Sequence, residues 1–351
     1  MSEITTPRET PDHTTWKQSD VVPTLDMVAA LAGVSRSTAS RVLNGSPQIT
    51  QATVDAVTAA VDQLNYVPNR VARNLARRST QMIAVVIPEH TAAFFADPYF
   101  ASIIQSAARY LSSTDYTLTL LVASEADPDK TRRFLRGGNA DGALILSHHI
   151  GDRDYLNLAR SIPVVFAGRP LEPMDGDPYI VDIDNVAASK VATRHLVQRG
   201  CRRIATITGP LEMSAGVDRV DGWRAALEEA GQETDLIEVS DFSYEGGAAA
   251  AERLLERSRE FDGLFAASAK MAAGAISTFK REGLRVPDDI AVTTIDNDFF
   301  ARNSDLPLTT VDQHTGMKGA VIAETLIRLI NGETVERITY VPTELIIGTS
   351  A

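Results

Sequence analysis

Residues 35–44, SRSTASRVLN, combine two arginines with short hydroxyl side chains. Ser35 is a candidate helix N-cap, and the apolar residues that follow it recur at helical spacing. Arg36 and Ser37 then begin that helix, and Arg41 lies about one turn later. An arginine can donate two hydrogen bonds to guanine in the major groove of DNA, and a serine accepts several kinds of partner. The segment therefore has residue types that can contact DNA bases, and polar residues on the surface of a small helical domain are the alternative interpretation.

Other polar residues in and just before this segment suit the sugar-phosphate backbone of DNA or the ends of helices. Short hydroxyl and amide side chains can cap a helix or contact phosphate, and phosphate contacts position a protein without reading sequence. The residues in this group are Thr24, Ser35, Thr38, Ser40 and Asn44.

Three short helices are predicted around these residues. The first follows Pro23 and is broken at Gly33, the second covers 36–43, and the third runs from about residue 50 to just before Pro68. Two helices joined by a tight turn that contains glycine, with a third packed across them, form a helix-turn-helix. Its second helix presents its N-terminal residues to base edges, which is where Arg36 and Ser37 lie.

Charge is divided unevenly along the chain. The net charge of −12 alone would argue against a nucleic-acid partner, but residues 24–79 carry +3, whereas 1–23 carry −2 and 80–351 carry −13. A basic head on an acidic body is expected when only the head meets phosphate. Arginines that cluster by chance on a solvated face would give the same balance, so charge alone leaves both interpretations open.

The composition suits a protein that stays in the cytoplasm. Residues 1–23 are rich in Thr, Pro and charge and lack the apolar core of a secretion signal, so they are predicted to form a disordered leader. No run of about 18 apolar residues predicts a membrane span. Cys201 is the single cysteine, which excludes an intrachain disulfide and fits a reducing compartment.

From about residue 81 the pattern changes to apolar strands that alternate with amphipathic helices. The strand candidates are 83–87, 117–123, 142–147, 163–168, 179–183, 203–209, 236–240, 263–268 and 290–296. Continuous apolar strands separated by helices are typical of parallel sheets covered on both faces. Nine strands divide better into two sheets than one, so the sequence predicts an α/β core of two doubly wound parallel-sheet subdomains with a cleft between them.

The end of the chain is predicted to return to both subdomains. A helix at 316–330 and a strand at 338–347 follow the second set of strands. The first subdomain is expected at about 81–182 plus 312–331, and the second at about 183–311 plus 332–351.

The stretches GVSRSTASRVLNG, LNYVPN and ARNLA resemble, in order and spacing, the head of the LacI/GalR (lactose-repressor) family. The resemblance continues in VDIDN, RIATITGP, DRVDGW, LRVPDDIAV and PLTTVDQ. It implies a helix-turn-helix domain at 24–68, a hinge at 69–80, and an effector-binding and dimerisation core of the periplasmic-binding-protein type at 81–351. It also implies a homodimeric transcription regulator, in most such cases a repressor, which binds pseudo-palindromic double-stranded operator DNA and is controlled allosterically by a small sugar-related ligand.

The resemblance makes Arg36, Ser37 and Arg41 the expected base readers, and it assigns the hinge to DNA as well. Leu75 occupies the position of an apolar wedge that enters the minor groove, where such wedges kink the duplex. Asn69, Arg70 and Ala72 are expected to contact DNA beside it. A linker that carries a leucine by chance is the alternative.

The family binds its effector between the subdomains, at the carboxyl ends of parallel strands. The resemblance gives Arg219 the role of gripping ligand hydroxyls and Phe242 that of stacking on the ligand, and an arginine fork suits that recognition. The expected effector-binding residues are Tyr99, Phe100, Arg169, Arg219, Phe242 and Asp296.

Several positions depart from the family pattern. Met27 and Ala269 stand where the family usually has Asp, and the second of these Asp residues contacts ligand hydroxyls. Met213 and Ala215 replace a polar pair of the purine repressor, which argues against a purine and leaves a sugar-related ligand without its usual clamp. Lys270 either points to solvent or, within the cleft, favours an anionic ligand.

Two other functional classes share this type of core. A sugar-binding transport protein would need an export signal and would have no DNA-binding head. The sequence instead predicts a DNA-binding head and lacks the apolar core of an export signal. An enzyme would need a nucleophile, an acid–base pair or a cofactor motif, and the adjacent His148 and His149 lack metal-ligand spacing around them. The sequence therefore predicts a protein that is not an enzyme and needs no cofactor. Whether the effector releases DNA or promotes its binding stays open.

Overall fold

The computed structural model describes residues 22–67, 79–89, 91–122, 129–147, 149, 153–171, 178–302 and 306–351. The predicted leader and hinge fall outside these ranges apart from residues 22–23 and 79–80. Asn69, Arg70, Ala72 and Leu75 lie outside them too, so their contacts with DNA stay predictions. The chain divides into two compact units, Met1–Arg78 and Ser79–Ala351, which are described separately.

Within the described residues 22–67, the first unit contains three helices, α1 (Leu25–Leu31), α2 (Arg36–Leu43) and α3 (Gln51–Leu64). The Thr24 and Ser35 side chains accept hydrogen bonds from backbone amides of the first turns of α1 and α2, as N-caps do. The small core of this unit consists of Val28, Ala29, Ala39, Val57, Ala60 and Tyr66. The helix-turn-helix that the sequence predicts is confirmed.

The second unit contains two six-stranded sheets, each with helices packed against it. The strands of the first sheet are β1 (Met82–Ile87), β2 (Thr117–Val122), β3 (Gly142–Leu146), β4 (Val164–Ala167), β5 (Tyr179–Asp182) and β11 (Ile338–Tyr340). Those of the second are β6 (Ile204–Thr208), β7 (Ile237–Val239), β8 (Gly263–Ala266), β9 (Ala291–Ile295), β10 (Thr309–Asp312) and β12 (Glu344–Ile346). Their spatial orders are β11-β5-β4-β3-β1-β2 and β12-β10-β9-β8-β6-β7.

Every pairing in these sheets is parallel except that of β12 with β10. Consecutive residues of β1 are all buried from Ile83 to Ile87, because helices cover both faces of the sheet. We call the first sheet with its helices the first lobe, and the second sheet with its helices the second lobe. The two parallel α/β subdomains that the sequence predicts are therefore confirmed.

The helices of the second unit are α4 (Thr91–Phe95), α5 (Pro98–Leu111), α6 (Asp129–Arg136), α7 (Arg153–Leu158), α8 (Asn185–Arg199), α9 (Ser214–Glu229), α10 (Tyr244–Arg257), α11 (Ala269–Arg281), α12 (Phe299–Arg302) and α13 (Thr315–Ile330). In the first lobe α5 packs on α13. In the second lobe α8 packs on α9, and α10 packs on α11. Among the described residues, no helix combines the length and the apolar character that crossing a membrane requires.

The chain passes between the lobes at three points: from β5 to α8, from β10 to α13, and from β11 to β12. The sequence predicted one strand at 338–347, and this prediction is wrong. Residues 338–340 pair with β5 of the first lobe, whereas 344–346 pair with β10 of the second. The prediction had placed all of 332–351 in the second subdomain, which the pairing of β11 corrects.

The sequence also missed β10. Two of its four residues are threonines, Thr309 and Thr310, which a search for apolar runs passes over. Both are buried, and their hydroxyls donate to the backbone oxygens of Ala351 and Asp296. A buried hydroxyl with a hydrogen-bond partner is tolerated inside a sheet, which is why this polar strand can be central.

Candidate functional site

The predicted base readers lie together on one side of the head. Arg36, Ser37 and Arg41 are exposed on α2, whereas Ala39 faces the small core. Arg36 Nε lies 3.5 Å from Asp26 Oδ1, and both side chains remain largely exposed. Such an exposed pair contributes little to stability, so it leaves the guanidinium able to exchange its partner for a base.

The hydroxyls of the head serve first to cap and brace its helices. Ser35 Oγ accepts a hydrogen bond of 3.1 Å from the Thr38 amide and lies 2.8 Å from the hydroxyls of Ser37 and Thr38. Asn44 Nδ2 donates to Ser40 Oγ at 3.4 Å. These contacts fit the capping role that the sequence allowed, and contact with phosphate stays a prediction.

In the second unit, the carboxyl ends of strands from both lobes meet around a cavity of about 390 Å3. Polar residues at or just after these ends line it: Glu89, Ser147, Asp182, Asp241, Ser268, Asp296 and Gln313. Its volume lies within the range of small-molecule sites in proteins, roughly 300–1,000 Å3.

Five of the six predicted effector-binding residues line this cavity: Tyr99, Phe100, Arg219, Phe242 and Asp296. Tyr99 and Phe100 begin α5 of the first lobe, with ring centroids 5.5 Å apart in an edge-on arrangement. The other three belong to the second lobe. The structure thus brings together, from both lobes, the residues that the sequence grouped.

Arg219 is buried and held in one orientation. Its Nε donates to Asn185 Oδ1 at 2.9 Å, its Nη1 donates to the backbone oxygen of Ala267, and its guanidinium carbon lies 5.9 Å from the centroid of the Phe242 ring. A guanidinium fixed in this way can present its remaining donors to a ligand at little entropic cost. Asn185, in the VDIDN motif, was not predicted as a site residue.

Three residues that line the cavity hold a positive φ although they are not glycine: Ser147 (65°), Phe242 (61°) and Asp296 (85°). Such backbone conformations are costly and concentrate at functional sites, where the surrounding structure enforces them. The Phe242 ring fills the space where Gly209 has no side chain, because a Cβ there would approach the ring to 2.0 Å. These residues mark the cavity independently of its shape.

Asp296 is a carboxyl group that changes charge near neutrality. Burial raises its pKa to about 7, with Asp298 and Asp97 adding to the effect and Arg219 opposing it. Gln313 Nε2 donates to its Oδ1. The carboxyl is therefore placed to accept a hydrogen bond from a ligand when it is ionised.

A second buried charge lies deeper, where the lobes join. Lys318 Nζ donates to Asp182 Oδ1 at 2.7 Å and lies 5.7 Å from the centroid of the Tyr99 ring. Burial disfavours the charged form of Lys318, but Asp182 and Tyr99 outweigh burial and raise the pKa of the ammonium. Asp182 also accepts from Asn185 at 3.3 Å, so a chain of hydrogen bonds runs from Arg219 to Lys318.

Lys270 lies in the cavity and does not point to solvent, which corrects one of the two expectations for it. Its Nζ lies 2.9 Å from Asp97 Oδ2, so the pair joins the second lobe to the first. Asp97 also caps α5, accepting from the Tyr99 amide. The charge of Lys270 is thus matched within the protein, which weakens the expectation of an anionic ligand.

Arg169 does not line the cavity. Its Nη2 donates to Asp218 Oδ1 at 2.6 Å, and it borders a separate pocket of about 180 Å3 together with Asp184 and Tyr340. The structure gives no support to its predicted contact with the effector. Arg169 instead links the end of β4 in the first lobe to α9 in the second.

The first-lobe wall carries a polar cluster that the sequence did not reveal. Glu89 Oε1 accepts from Ser147 Oγ at 2.6 Å and from His149 Nε2 at 2.8 Å. Glu89 and Ser147 follow the ends of the neighbouring strands β1 and β3. That shared position is the signal that could have found them.

Comparison with known proteins agrees with this architecture. The family model of bacterial regulatory proteins of the lacI family matches residues 24–69, and that of a periplasmic binding protein-like domain matches residues 193–351. The HTH-type transcriptional regulator CelR of Thermobifida fusca is 42% identical over 323 residues, which is 91% of this chain and 95% of that protein. The ribose operon repressor of Escherichia coli (strain K12) is 32% identical over 321 residues, 90% of this chain and 95% of that one.

Solved structures give the same result. A transcriptional regulator CelR–cellobiose complex shares 39% identity, covers 94% of this chain and 100% of its own, and superposes with a TM-score of 0.74. A lac repressor dimer bound to operator and the anti-inducer ONPF shares 25% identity over 93% of this chain and 98% of its own, with a TM-score of 0.83. These relatives are regulators and not enzymes, as the sequence predicted. The chain belongs to the lacI family of bacterial regulatory proteins and is a DNA-binding transcription regulator.

Proposed function

We propose that this regulator is a cytoplasmic repressor that binds a pseudo-palindromic operator as a homodimer and responds to a neutral sugar held in the cavity between its lobes. The observation that carries the choice of ligand is the balance of charged groups around the cavity. Among the described residues, six carboxyl groups line it, from Glu89, Asp97, Asp182, Asp241, Glu245 and Asp296.

Among the described lining residues the cations are fewer, and both lysines are already paired with carboxylates. Lys270 is paired with Asp97, Lys318 is paired with Asp182, and Arg219 donates to Asn185 and Ala267. An anionic ligand would meet a wall that is acidic overall, whereas hydroxyl groups can donate to carboxylates and accept from Arg219. The exposed face of Phe242 suits the apolar face of a sugar ring.

Cellobiose is the first ligand to test, because the CelR structure similar to this chain holds it. The lobes are connected at three points, so a ligand that contacts both can shift their relative pose. A ligand changes operator affinity only through a difference in its affinity for two such poses. We propose that cellobiose favours the pose with the weaker affinity for the operator.

The test is a fluorescence-anisotropy titration of a labelled operator with and without cellobiose, on wild type and Arg219→Ala. We expect cellobiose to weaken operator binding by wild type, and Arg219→Ala to bind operator but to need far more sugar. Arg224→Ala is the control, since its ion pair with Asp221 lies within one helix of the second lobe and outside the cavity. Unchanged operator affinity at saturating cellobiose, together with no heat of sugar binding, would refute the proposal.

A further inference from the structure

The cavity has two polar walls, and only one of them is explained by Arg219, Phe242 and Asp296. These three belong to the second lobe. The opposite wall, in the first lobe, carries the cluster of Glu89, Ser147 and His149. A single ring held against the second lobe would leave this cluster without a function.

The first-lobe cluster is built in a fixed geometry. Two donors, Ser147 Oγ and His149 Nε2, converge on the same oxygen, Glu89 Oε1, at 2.6 and 2.8 Å. Ser147, directly after β3, holds a φ of 65°, a costly backbone conformation of the kind that concentrates at functional sites. Side chains locked by their neighbours give precise recognition, because little freedom is lost when a ligand binds.

The chemistry of the cluster suits hydroxyl groups. A carboxylate only accepts hydrogen bonds and can take several at once, whereas a serine hydroxyl both donates and accepts. Glu89 is 17% exposed and His149 28%, so a bound ligand would meet partly desolvated groups. Hydrogen bonds to charged groups in such places are stronger than those between neutral groups.

We propose that Glu89, Ser147 and His149 form a second sugar subsite, so that the effector contains at least two linked sugar units. One unit lies against Arg219, Phe242 and Asp296 in the second lobe, and the other unit lies against the first-lobe cluster. The cluster thereby distinguishes a disaccharide from a monosaccharide. This inference rests on the proposed function, since it assumes that the cavity binds a neutral sugar.

The experiment compares cellobiose with glucose on wild type and Glu89→Gln. Cellobiose affinity is measured by calorimetry, and glucose affinity by competition with cellobiose. Glu89→Gln keeps the size of the side chain but removes the charge of the acceptor. We expect cellobiose affinity to fall about ten- to a hundredfold, with glucose affinity unchanged, so that the preference for the disaccharide shrinks.

Glu228→Gln is the matched control, because Glu228 is exposed on α9 and outside the cavity. Thermal unfolding without sugar checks that Glu89→Gln still folds, and Ser147→Ala gives an independent variant with the same expected selectivity. An equal loss for both sugars, or no loss for cellobiose, would overturn the subsite. If wild type binds neither sugar and its operator affinity ignores both, the proposed function itself fails.

Discussion

The ion pair between Lys318 and Asp182 should be a major support of the second unit. It lies where the three connections between the lobes come together, and the two side chains are only 2% and 8% exposed. Asp182 begins the first connection, its backbone oxygen accepts from Val341 in the third, and Lys318 lies one turn after the second. Replacing Lys318 by Met keeps the length of the side chain and removes its charge.

The expected cost follows from what remains around Asp182. Without the ammonium, the Asp182 carboxylate still accepts hydrogen bonds from the amides of Ile183 and Arg169 and from the side chain of Asn185, but it has lost the cation that balanced its charge. Breaking a buried ion pair in this way costs about 3–5 kcal/mol. For a unit of this size, 1 kcal/mol lowers the unfolding midpoint by about 2–4 °C, so Lys318→Met should lose on the order of 6–20 °C.

Differential scanning calorimetry measures this, with two further variants. The double variant Asp182→Asn/Lys318→Met removes both charges and should recover most of the loss, because no unpaired charge stays buried. Lys190→Met is the matched control, because its partner Glu229 is exposed and such a pair contributes little to stability. The reasoning is refuted if Lys318→Met has the same unfolding midpoint as wild type, or if the double variant has a lower midpoint than Lys318→Met.

Three further predictions concern ligand binding, folding stability and DNA binding. Because burial raises the pKa of Asp296 to about 7, the carboxylate is protonated as pH falls through neutrality, and sugar affinity should fall with it. Calorimetry from pH 8 to about 5.5 should show this decrease in affinity for wild type and not for Asp296→Asn. An equal decrease in that variant would contradict the assignment. The same group should lower folding stability as pH rises toward 7, since the folded state then holds a proton that the unfolded chain has released. Arg36→Ala should cost about 1–3 kcal/mol of operator affinity and relax the preference at one base position in a binding-site selection, whereas an equal loss on random DNA would make Arg36 a phosphate contact.

The sequence predicted those parts of the structure that depend on neighbours along the chain. The caps at Thr24 and Ser35, the helices and the apolar strands all follow from local spacing, and the resemblance to the family supplied the main candidates for effector binding. Contacts between the lobes could not be found in this way. Lys270 and Asp97 are 173 residues apart, and Lys318 and Asp182 are 136 apart, so only the folded chain brings their charges together.

Lys270 shows how such a long-range contact changes a functional conclusion. Taken with Ala269, it could indicate that a hydroxyl acceptor had been exchanged for a cation, and hence that an anion is bound. The structure places Ala269 at the start of α11, fully buried and away from the lining of the cavity, and it pairs Lys270 with Asp97. Lys270 therefore forms an ion pair with Asp97 of the first lobe at the edge of the cavity, and its charge is already balanced without an anionic ligand. A site whose lysines are paired with carboxylates, and whose acceptors outnumber its cations, selects ligands that bring hydrogen-bond donors without charge, which is the chemistry of a neutral sugar.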